Sequence, residues 1–277
     1  MKKILNSAFI VFIVLISGCD SLVNVEPKGF MIPNTAADLR MMLNNTSGNY
    51  RDPRPVTIGY SHIQFAGDQA YYTDQYDLES KSEAVYAFYT RNKQIIEEHN
   101  HGDILYLYEL VALSNAVLDI LPETTDLNET ERGQIKGEAL VHRAYAFLTM
   151  VNTHAHHYDA QTSSTDLGIP MPLTHDINQE IPSRSTVKEV YDLITADLNE
   201  AISILGNVQD NRALPSKAAA NALLARTYLY MGNFEMALQN ANDALMQSDF
   251  LYNLEDHIDV LGNLNLNNRS YNSKEIF

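Results

Sequence analysis

The chain has 277 residues, which allows one large domain or two small ones with a substantial apolar core. It carries 35 acidic side chains against 19 lysines and arginines, and this net charge of −16 argues against a nucleic acid bound through a basic face. The one cysteine excludes an internal disulfide.

The first 18 residues are predicted to be a lipoprotein signal peptide. They begin Met-Lys-Lys, and residues 8–16 are an unbroken apolar run that is too short to span a bilayer, which needs about 20 apolar residues. A basic start followed by a short apolar run is typical of a secretory signal. Residues 16–19 (ISGC) resemble a bacterial lipobox, which implies cleavage before Cys19 and a lipid on its sulfur. The alternative is an ordinary signal peptide that happens to abut a cysteine.

The segment after Cys19 is predicted to be a tether followed by one short helix and a long loop. Residues 19–34 lack periodicity, whereas Leu39, Met42 and Leu43 form a helical stripe after Thr35. Residues 44–79 are rich in Asn, Gly, Pro and Asp, which indicates a loop.

Two long helical regions follow. Residues 82–121 have helical spacing, and we expect Gly102 to divide them into two helices and Pro122 to end the second. Asn128 and Glu131 predict a capping box for a helix that runs to about Val151. This helix is apolar on more than one side, as expected of a helix packed between others.

Residues 158–185 contain three prolines and no period, which predicts a long irregular segment. Thr186 and Glu189 then predict a second capping box. The helix that follows has one clean apolar stripe from Val187 to Leu205, and Gly206 is expected to close it.

Residues 216–231 and 234–246 predict a helical hairpin with its turn at Gly232 and Asn233. Small side chains lie where two helices would touch, with large apolar ones beside them, and this fits the tetratricopeptide pattern. These residues are Ala225, Ala237, Ala241 and Ala244, with Leu224, Tyr228, Phe234 and Leu245. The predicted fold class is therefore mainly α, with tetratricopeptide-like helical-hairpin repeats and long irregular loops.

Three stretches together resemble the SusD/RagB family of nutrient-binding lipoproteins. They are residues 137–148 (GEALVHRAYAFL); residues 168–170 (GIP) with 185–191 (STVKEVY) and 197–201 (DLNEA); and residues 217–220 (KAAA) with 223–230 and 232–234 (GNF). Members of this family are about twice as long as this chain. The resemblance implies a SusD-like helical-repeat domain over residues 35–272, with residues 273–277 at the start of a missing carboxy-terminal half.

The resemblance also implies a function. It predicts a lipid-anchored protein on the outward face of the outer membrane that captures glycan for import by a SusC-like TonB-dependent transporter. The sequence contains no glycine-rich phosphate loop, nucleophile elbow or metalloprotease helix motif, so we expect no cofactor, no metal and no catalytic residue. Two alternatives remain, a RagB-like member that captures peptide and an envelope scaffold without a small ligand. A hydrolytic enzyme is disfavoured because no catalytic constellation is recognisable.

Histidines provide the strongest candidates for other chemistry. His154, His156 and His157 could suggest a metal site, but they lie where a helix runs into a loop rather than on a rigid element, so we expect no specific metal. Glu138 and His142 are four residues apart, and we interpret them as a helix-surface pair rather than a catalytic dyad.

The most distinctive candidate site is the aromatic loop, residues 60–76, where aromatic rings alternate with amide and acid side chains. Sugars bind by stacking on aromatic rings while their hydroxyls pair with polar groups, so this composition predicts a ligand surface. The alternative is that the rings only fasten the loop to the scaffold. The candidate residues are Tyr60, Asp68, Tyr71, Tyr72, Gln75 and Tyr76.

Overall fold

The computed structural model describes residues 33–44, 83–92, 102–176, 178–207 and 214–249 of the chain. Within these ranges it contains seven α-helices and two short strands. The helices are α1 (Ala36–Asn44), α2 (Glu83–Thr90), α3 (Gly102–Ile120), α4 (Glu129–His154), α5 (Val187–Ile204), α6 (Lys217–Tyr230) and α7 (Phe234–Gln247), and the strands are β1 (Leu167–Pro170) and β2 (Arg184–Thr186). The prediction of a mainly α, hairpin-repeat fold is confirmed.

The helices from α3 to α7 pack in series, each against the next, and α1 packs on α3 and α4. The long helix α4 lies between α3 and α5, so it buries side chains on more than one side, including Phe147 and Met150. The stripe predicted on α5 is buried, with Val190, Ile194 and Leu198 fully enclosed. Each such side chain contributes roughly 1.5–3 kcal/mol of hydrophobic free energy.

Both predicted capping boxes are present. The Asn128 side chain accepts from the Glu131 backbone N–H at 2.9 Å, and the Glu131 carboxylate accepts from the Asn128 N–H at 3.0 Å. Thr186 and Glu189 make the same reciprocal pair at the start of α5. A cap of this kind is worth about 1 kcal/mol. The helix that Asn128 begins runs to His154, three residues beyond the predicted end.

Two expectations about the chain between α4 and α6 were wrong. The segment 158–185 is not wholly irregular, because β1 pairs with β2 in an antiparallel ladder that reaches into it. Strands of three or four residues are too short to give a readable period. Gly206 is also not the residue that closes α5: the helix ends where Leu205 takes an extended backbone and buries its side chain.

The predicted hairpin of α6 and α7 is present. Gly232 has a φ of 73°, which a side chain would disfavour, and the Asn233 N–H donates to the Tyr228 carbonyl at 2.9 Å to close the turn. Ala237 and Ala244 are buried at the helix contact as predicted. The large residues that were expected beside this contact differ in burial: Leu224 is buried, whereas Phe234 and Leu245 are exposed.

One helical segment in the described part of the chain, Ile104–Glu123, is long and apolar enough to cross a membrane by length and composition. The same composition suits a helix of a protein core. This segment packs against α4 and buries Val111 and Val117 completely. The α-helix α3 ends at Ile120, and Pro122, which was predicted to end it, lies in the 3-10 turn that follows.

Candidate functional site

The aromatic loop and the predicted lipidation site, Cys19, lie outside the described residues. The loop lies in sequence between α1 and α2, and the structure shows what holds α1, the helix before it. The predicted ligand residues in this loop are Tyr60, Asp68, Tyr71, Tyr72, Gln75 and Tyr76.

Helix α1, which precedes the loop, is held on the repeat array by apolar contacts and by hydrogen bonding at its first residue. Leu39 and Leu43 are buried in a small second core with residues from α3, α4 and the turn between them. Both carboxylate oxygens of Asp126, which lies in that turn, accept from the Ala36 backbone N–H, at 3.0 and 3.2 Å. An acidic group at a helix N-terminus satisfies a free N–H and stabilises the helix dipole.

A partly buried ion pair also joins α1 to α4. Glu138 on α4 is completely buried and accepts hydrogen bonds from Arg40 on α1 and from Gln134 at 3.1 Å. Burial raises the pKa of Glu138, and the contacts with Arg40 and Gln134 oppose that rise. Without Arg40, the buried Glu138 carboxylate would have no cation beside it. This contact therefore stabilises the position of α1 on α4.

The interpretation of Glu138 and His142 as a helix-surface pair was wrong for Glu138. Its side chain points into the core towards Arg40, which is 98 residues away in sequence, and periodicity along one helix carries no signal for such a contact. His142 is half-buried, and its removal from water lowers the pKa of the ring to about 4. The ring is therefore neutral at neutral pH.

A second well-held element is the strap, residues 170–176, which continues from β1 across helix α3. Three α3 side chains in one line along the helix fasten it. The Tyr108 hydroxyl donates to the Pro170 carbonyl at 3.0 Å, and the Asn115 amide donates to the Pro172 carbonyl at 2.9 Å. Asp119 binds the far end of the strap.

Asp119 accepts from the His175 backbone N–H at 3.1 Å and lies 2.7 Å from the His175 ring nitrogen Nδ1. The Thr174 hydroxyl donates to the same carboxylate oxygen at 3.3 Å. Partial burial works to raise the pKa of Asp119, but these hydrogen bonds outweigh it and hold the pKa below its ordinary value. The strap is thus a loop with fixed ends rather than a free one.

Asn115 connects the strap to a buried polar network between three helices. The Arg143 guanidinium on α4 donates to both carboxylate oxygens of Asp197 on α5, at 2.8 Å each, and to the Asn115 side-chain oxygen at 3.0 Å. Bidentate pairing of this kind fixes both distance and orientation. Burial raises the pKa of Asp197, and Arg143 opposes that rise.

The network was not predicted from the sequence, although two of its members fall in stretches that carry the family resemblance. Arg143 lies in residues 137–148, and Asp197 begins residues 197–201. Arg143 lies on the apolar side of a predicted helix, and because a buried charge needs a partner, its position could have indicated a buried ion pair. No feature of the sequence around Asn115 indicated its contact with Arg143.

The start of the strap is set by a close backbone approach at Gly168. A Cβ there would lie 2.9 Å from the Thr186 carbonyl oxygen of the paired strand, so only glycine fits. Arg184 then binds across the ladder, donating to the Gly168 carbonyl at 2.6 Å and to the Leu167 carbonyl at 3.0 Å. This arrangement gives a physical role to the Gly-Ile-Pro stretch at residues 168–170.

The histidines at the end of α4 and just after it do not form a metal site. His154 ends α4, while His156 and His157 are exposed, and the His157 ring lies edge-on to Tyr230 with centroids 6.5 Å apart. Across the described ranges, no group of three or more His, Cys, Asp or Glu side chains could hold a metal ion. On α5, the Tyr191 ring lies edge-on to Tyr158 with centroids 4.9 Å apart, and burial raises the pKa of Tyr191 to about 12.

Residues 32–229 match a family model named SusD-like and described as starch-binding associating with outer membrane. A curated relative, SusD-like protein P2 of Formosa agariphila, is 28% identical over 260 residues, which cover 87% of this chain and 46% of that protein. This chain therefore spans about half the length of the relative.

Solved structures share the fold. A putative sugar binding protein from Bacteroides vulgatus superimposes with a TM-score of 0.64 at 22% identity, over 85% of this chain and 52% of that one. A SusD superfamily protein from Bacteroides thetaiotaomicron gives 0.61 at 22% identity, over 82% and 50%. A laminarin binding SusD-like protein gives 0.55 at 19% identity, over 76% and 42%.

Proposed function

The chain belongs to the SusD-like family, and from this membership we propose that it is a cell-surface lipoprotein that captures a glycan and delivers it to a SusC-like TonB-dependent transporter. The observation that carries the proposal is the family match over residues 32–229, a span that includes the aromatic loop. The family description places its members at the outer membrane and associates them with starch.

The proposed ligand surface is the aromatic loop. The helix that precedes it in sequence, α1, is fixed by Asp126 at its first turn, by Arg40 and Glu138 along its length, and by Leu39 and Leu43 in the core. Binding residues are often carried by loops that join the elements of such a scaffold. Stacked tyrosine rings would hold the sugar faces, and Asp68 and Gln75 would pair with hydroxyls.

We propose capture without catalysis. Glycoside hydrolysis needs two carboxyl groups at a fixed separation across the bond that is cleaved. The buried carboxylates of the described residues, Glu138 and Asp197, are each engaged with an arginine between helices instead. Binding and release alone would suffice for delivery to a transporter, and neither step calls for a cofactor.

The proposed anchor is lipid on Cys19, joined to α1 through the tether. Residues 19–34 are 16 residues, which could extend to about 55 Å. Several acyl chains at one terminus anchor a protein stably, whereas one chain holds it only marginally. The tether would let the captured ligand reach a transporter that lies in the same membrane.

Calorimetric titration of the purified protein tests the proposal. Starch fragments and laminarin fragments are the first ligands to use, because the family description names starch and one structural neighbour binds laminarin. We expect saturable binding of at least one oligosaccharide. We also expect the concentration of reducing ends to stay constant on long incubation, since no glycosidic bond is cleaved. Binding of peptides with no glycan binding would favour the RagB-like alternative, and release of reducing ends would contradict a purely capturing role.

A peptide-capturing member and an envelope scaffold remain the second and third candidates. A neighbouring gene for a TonB-dependent transporter, and co-purification of that transporter with this protein from detergent-solubilised membranes, would favour capture over scaffolding. A transporter-free complex with other envelope proteins would favour the scaffold.

A further inference from the structure

Three aromatic side chains come together at one end of the helical array, and we call them the aromatic platform: His157, Tyr158 and Tyr230. The first two follow the end of α4, and Tyr230 is the last residue of α6. Helix α5 packs against both α4 and α6, and it runs antiparallel to α4, since Gly133 near the start of α4 lies close to Ile204 at the end of α5. The rings of His157 and Tyr230 are 6.5 Å apart between centroids, so the ends of α4 and α6 lie near each other.

A buried tyrosine near the start of α5 supports the platform from the core. The Tyr191 side chain is almost completely enclosed, and its hydroxyl donates to the Asn152 side-chain oxygen at 3.2 Å. Tyr158 packs edge-on against the Tyr191 ring, with centroids 4.9 Å apart. Burial is the main cause of the raised pKa of Tyr191, and the nearby hydroxyls of Tyr230 and Tyr158 raise it further. The three tyrosines therefore converge on one place.

The platform keeps ring surface accessible to a ligand. His157 is exposed, and Tyr158 and Tyr230 are half-buried. The His157 ring meets Tyr230 edge-on, with an angle of 71° between the ring planes. Edge-on contacts fix the relative orientation of aromatic rings. The rings are thus held by packing on one side while part of their surface faces solvent, a condition that lowers the entropy lost on binding.

Polar groups of α5 lie beside the rings. The Lys188 ammonium donates to the Asp192 carboxylate at 2.6 Å, and both side chains are exposed. The hydrogen bond with Asp192 is the main cause of the raised pKa of Lys188, and the Tyr158 hydroxyl adds to that rise, so the ammonium lies close to Tyr158. Donors and acceptors of hydrogen bonds therefore surround the ring surface, and the cation and the anion among them balance each other.

We propose that the aromatic platform is a second oligosaccharide-binding surface, separate in sequence from the aromatic loop. A sugar presents apolar C–H faces, which stack on aromatic rings, and hydroxyls, which pair with flanking polar groups. A neutral hexose oligosaccharide fits this combination, with its ring on Tyr230 and Tyr158 and its hydroxyls towards His157, Lys188 and Asp192. The class of ligand rests on the proposed function, whereas the location rests on the contacts of these residues.

Nuclear magnetic resonance of the histidine ring protons tests the platform directly. The His157 signals are identified by their loss in His157→Ala, and the purified protein is titrated with maltoheptaose and with laminarihexaose. We expect at least one of these oligosaccharides to shift the His157 signals saturably. The same shifts should appear in Tyr71→Ala/Tyr72→Ala/Tyr76→Ala, because that variant alters only the aromatic loop.

Substitution of the platform itself should weaken this second site. Tyr230→Ala removes a stacking ring, so the oligosaccharide concentration that gives half of the His157 shift should rise by about fivefold or more. Tyr106→Ala is the matched control: it removes an exposed tyrosine from α3, which packs on α4 rather than on α5, and it should leave the titration unchanged. If Tyr230→Ala unfolds the chain, His157→Ala in the triple loop variant should weaken the remaining binding in calorimetry, since His157 is exposed.

The outcomes distinguish this proposal from the proposed function. Calorimetric binding of a glycan with no movement of the His157 signals would overturn the platform and leave glycan capture intact. Movement of these signals in a triple loop variant that binds as tightly as the wild type would support the platform and contradict the role of the aromatic loop. Absence of binding by both methods would overturn both. An equal weakening by Tyr230→Ala and Tyr106→Ala would also overturn the platform, because the effect would not be specific to it.

Discussion

Replacing Arg143 by leucine should strongly destabilise the protein. Arg143 and Asp197 are 12% and 5% exposed at their side chains and make two 2.8 Å hydrogen bonds. The variant would leave the Asp197 carboxylate in the core without a cation, a loss that typically costs about 3–5 kcal/mol. Urea unfolding followed by circular dichroism at pH 7 measures the free energy directly.

The cost should depend on pH in a specific direction. Burial already raises the pKa of Asp197 and Arg143 opposes the rise, so the pKa of Asp197 should rise further in Arg143→Leu. When a carboxyl group has a higher pKa in the folded state than in the unfolded state, the free energy of unfolding falls as pH increases between those two pKa values. The variant should therefore be less destabilised, relative to wild type, at pH 5 than at pH 7.

Two controls separate this explanation from simple loss of packing. Arg143→Leu with Asp197→Leu removes both charges and should be more stable than Arg143→Leu alone. Lys136→Ala breaks an exposed pair with Glu200 between the same two helices, and it should cost about 1 kcal/mol or less. Equal losses for Arg143→Leu and Lys136→Ala, or a double variant as unstable as the sum of its single substitutions, would refute the reasoning.

Three further predictions concern other parts of the chain. Cys19→Ala should release the protein from the membrane fraction and abolish labelling by a lipid precursor; unchanged fractionation and labelling would contradict lipidation. In the wild type, the unfolded His142 ring takes up a proton near pH 6.5, whereas the folded ring, with its pKa of about 4, does not, so the free energy of unfolding falls between pH 7 and pH 5. His142→Gln should reduce this fall by about 1–2 kcal/mol. Parallel pH curves for the two proteins would contradict this. Asp119→Ala should speed amide exchange at His175 at least about tenfold while lowering the Tm by less than roughly 3 °C, and unchanged exchange would show that Asp119 does not hold the strap.

The helices and their amino-terminal caps were predictable because their signals are local. Asn128 with Glu131, and Thr186 with Glu189, place each cap and its partner three residues apart, so the sequence contains the whole interaction. The apolar stripe of α5 likewise repeats within one helix. Serial packing then follows from the requirement that each stripe be buried.

The contacts that fix α1, the helix before the candidate site in sequence, were not predictable in the same way. Asp126 reaches Ala36 across 90 residues, and Arg40 reaches Glu138 across 98. Such pairs depend on how helices are placed relative to one another, which the period of one helix does not determine. The prediction for the aromatic loop itself rests on composition, and it stays a prediction because those residues lie outside the described ranges.

The central claim, that the aromatic loop binds a glycan, is tested most directly by calorimetric titration of Tyr71→Ala/Tyr72→Ala/Tyr76→Ala with the oligosaccharide that the wild type binds. Truncating a stacking ring costs about 1 kcal/mol, so the triple variant should bind well over tenfold more weakly with little change in Tm. The matched variant with phenylalanine at the same three positions keeps the rings and should bind within a few-fold of the wild type. Unchanged affinity in the alanine variant together with a lowered Tm would contradict the claim and identify the three rings as packing.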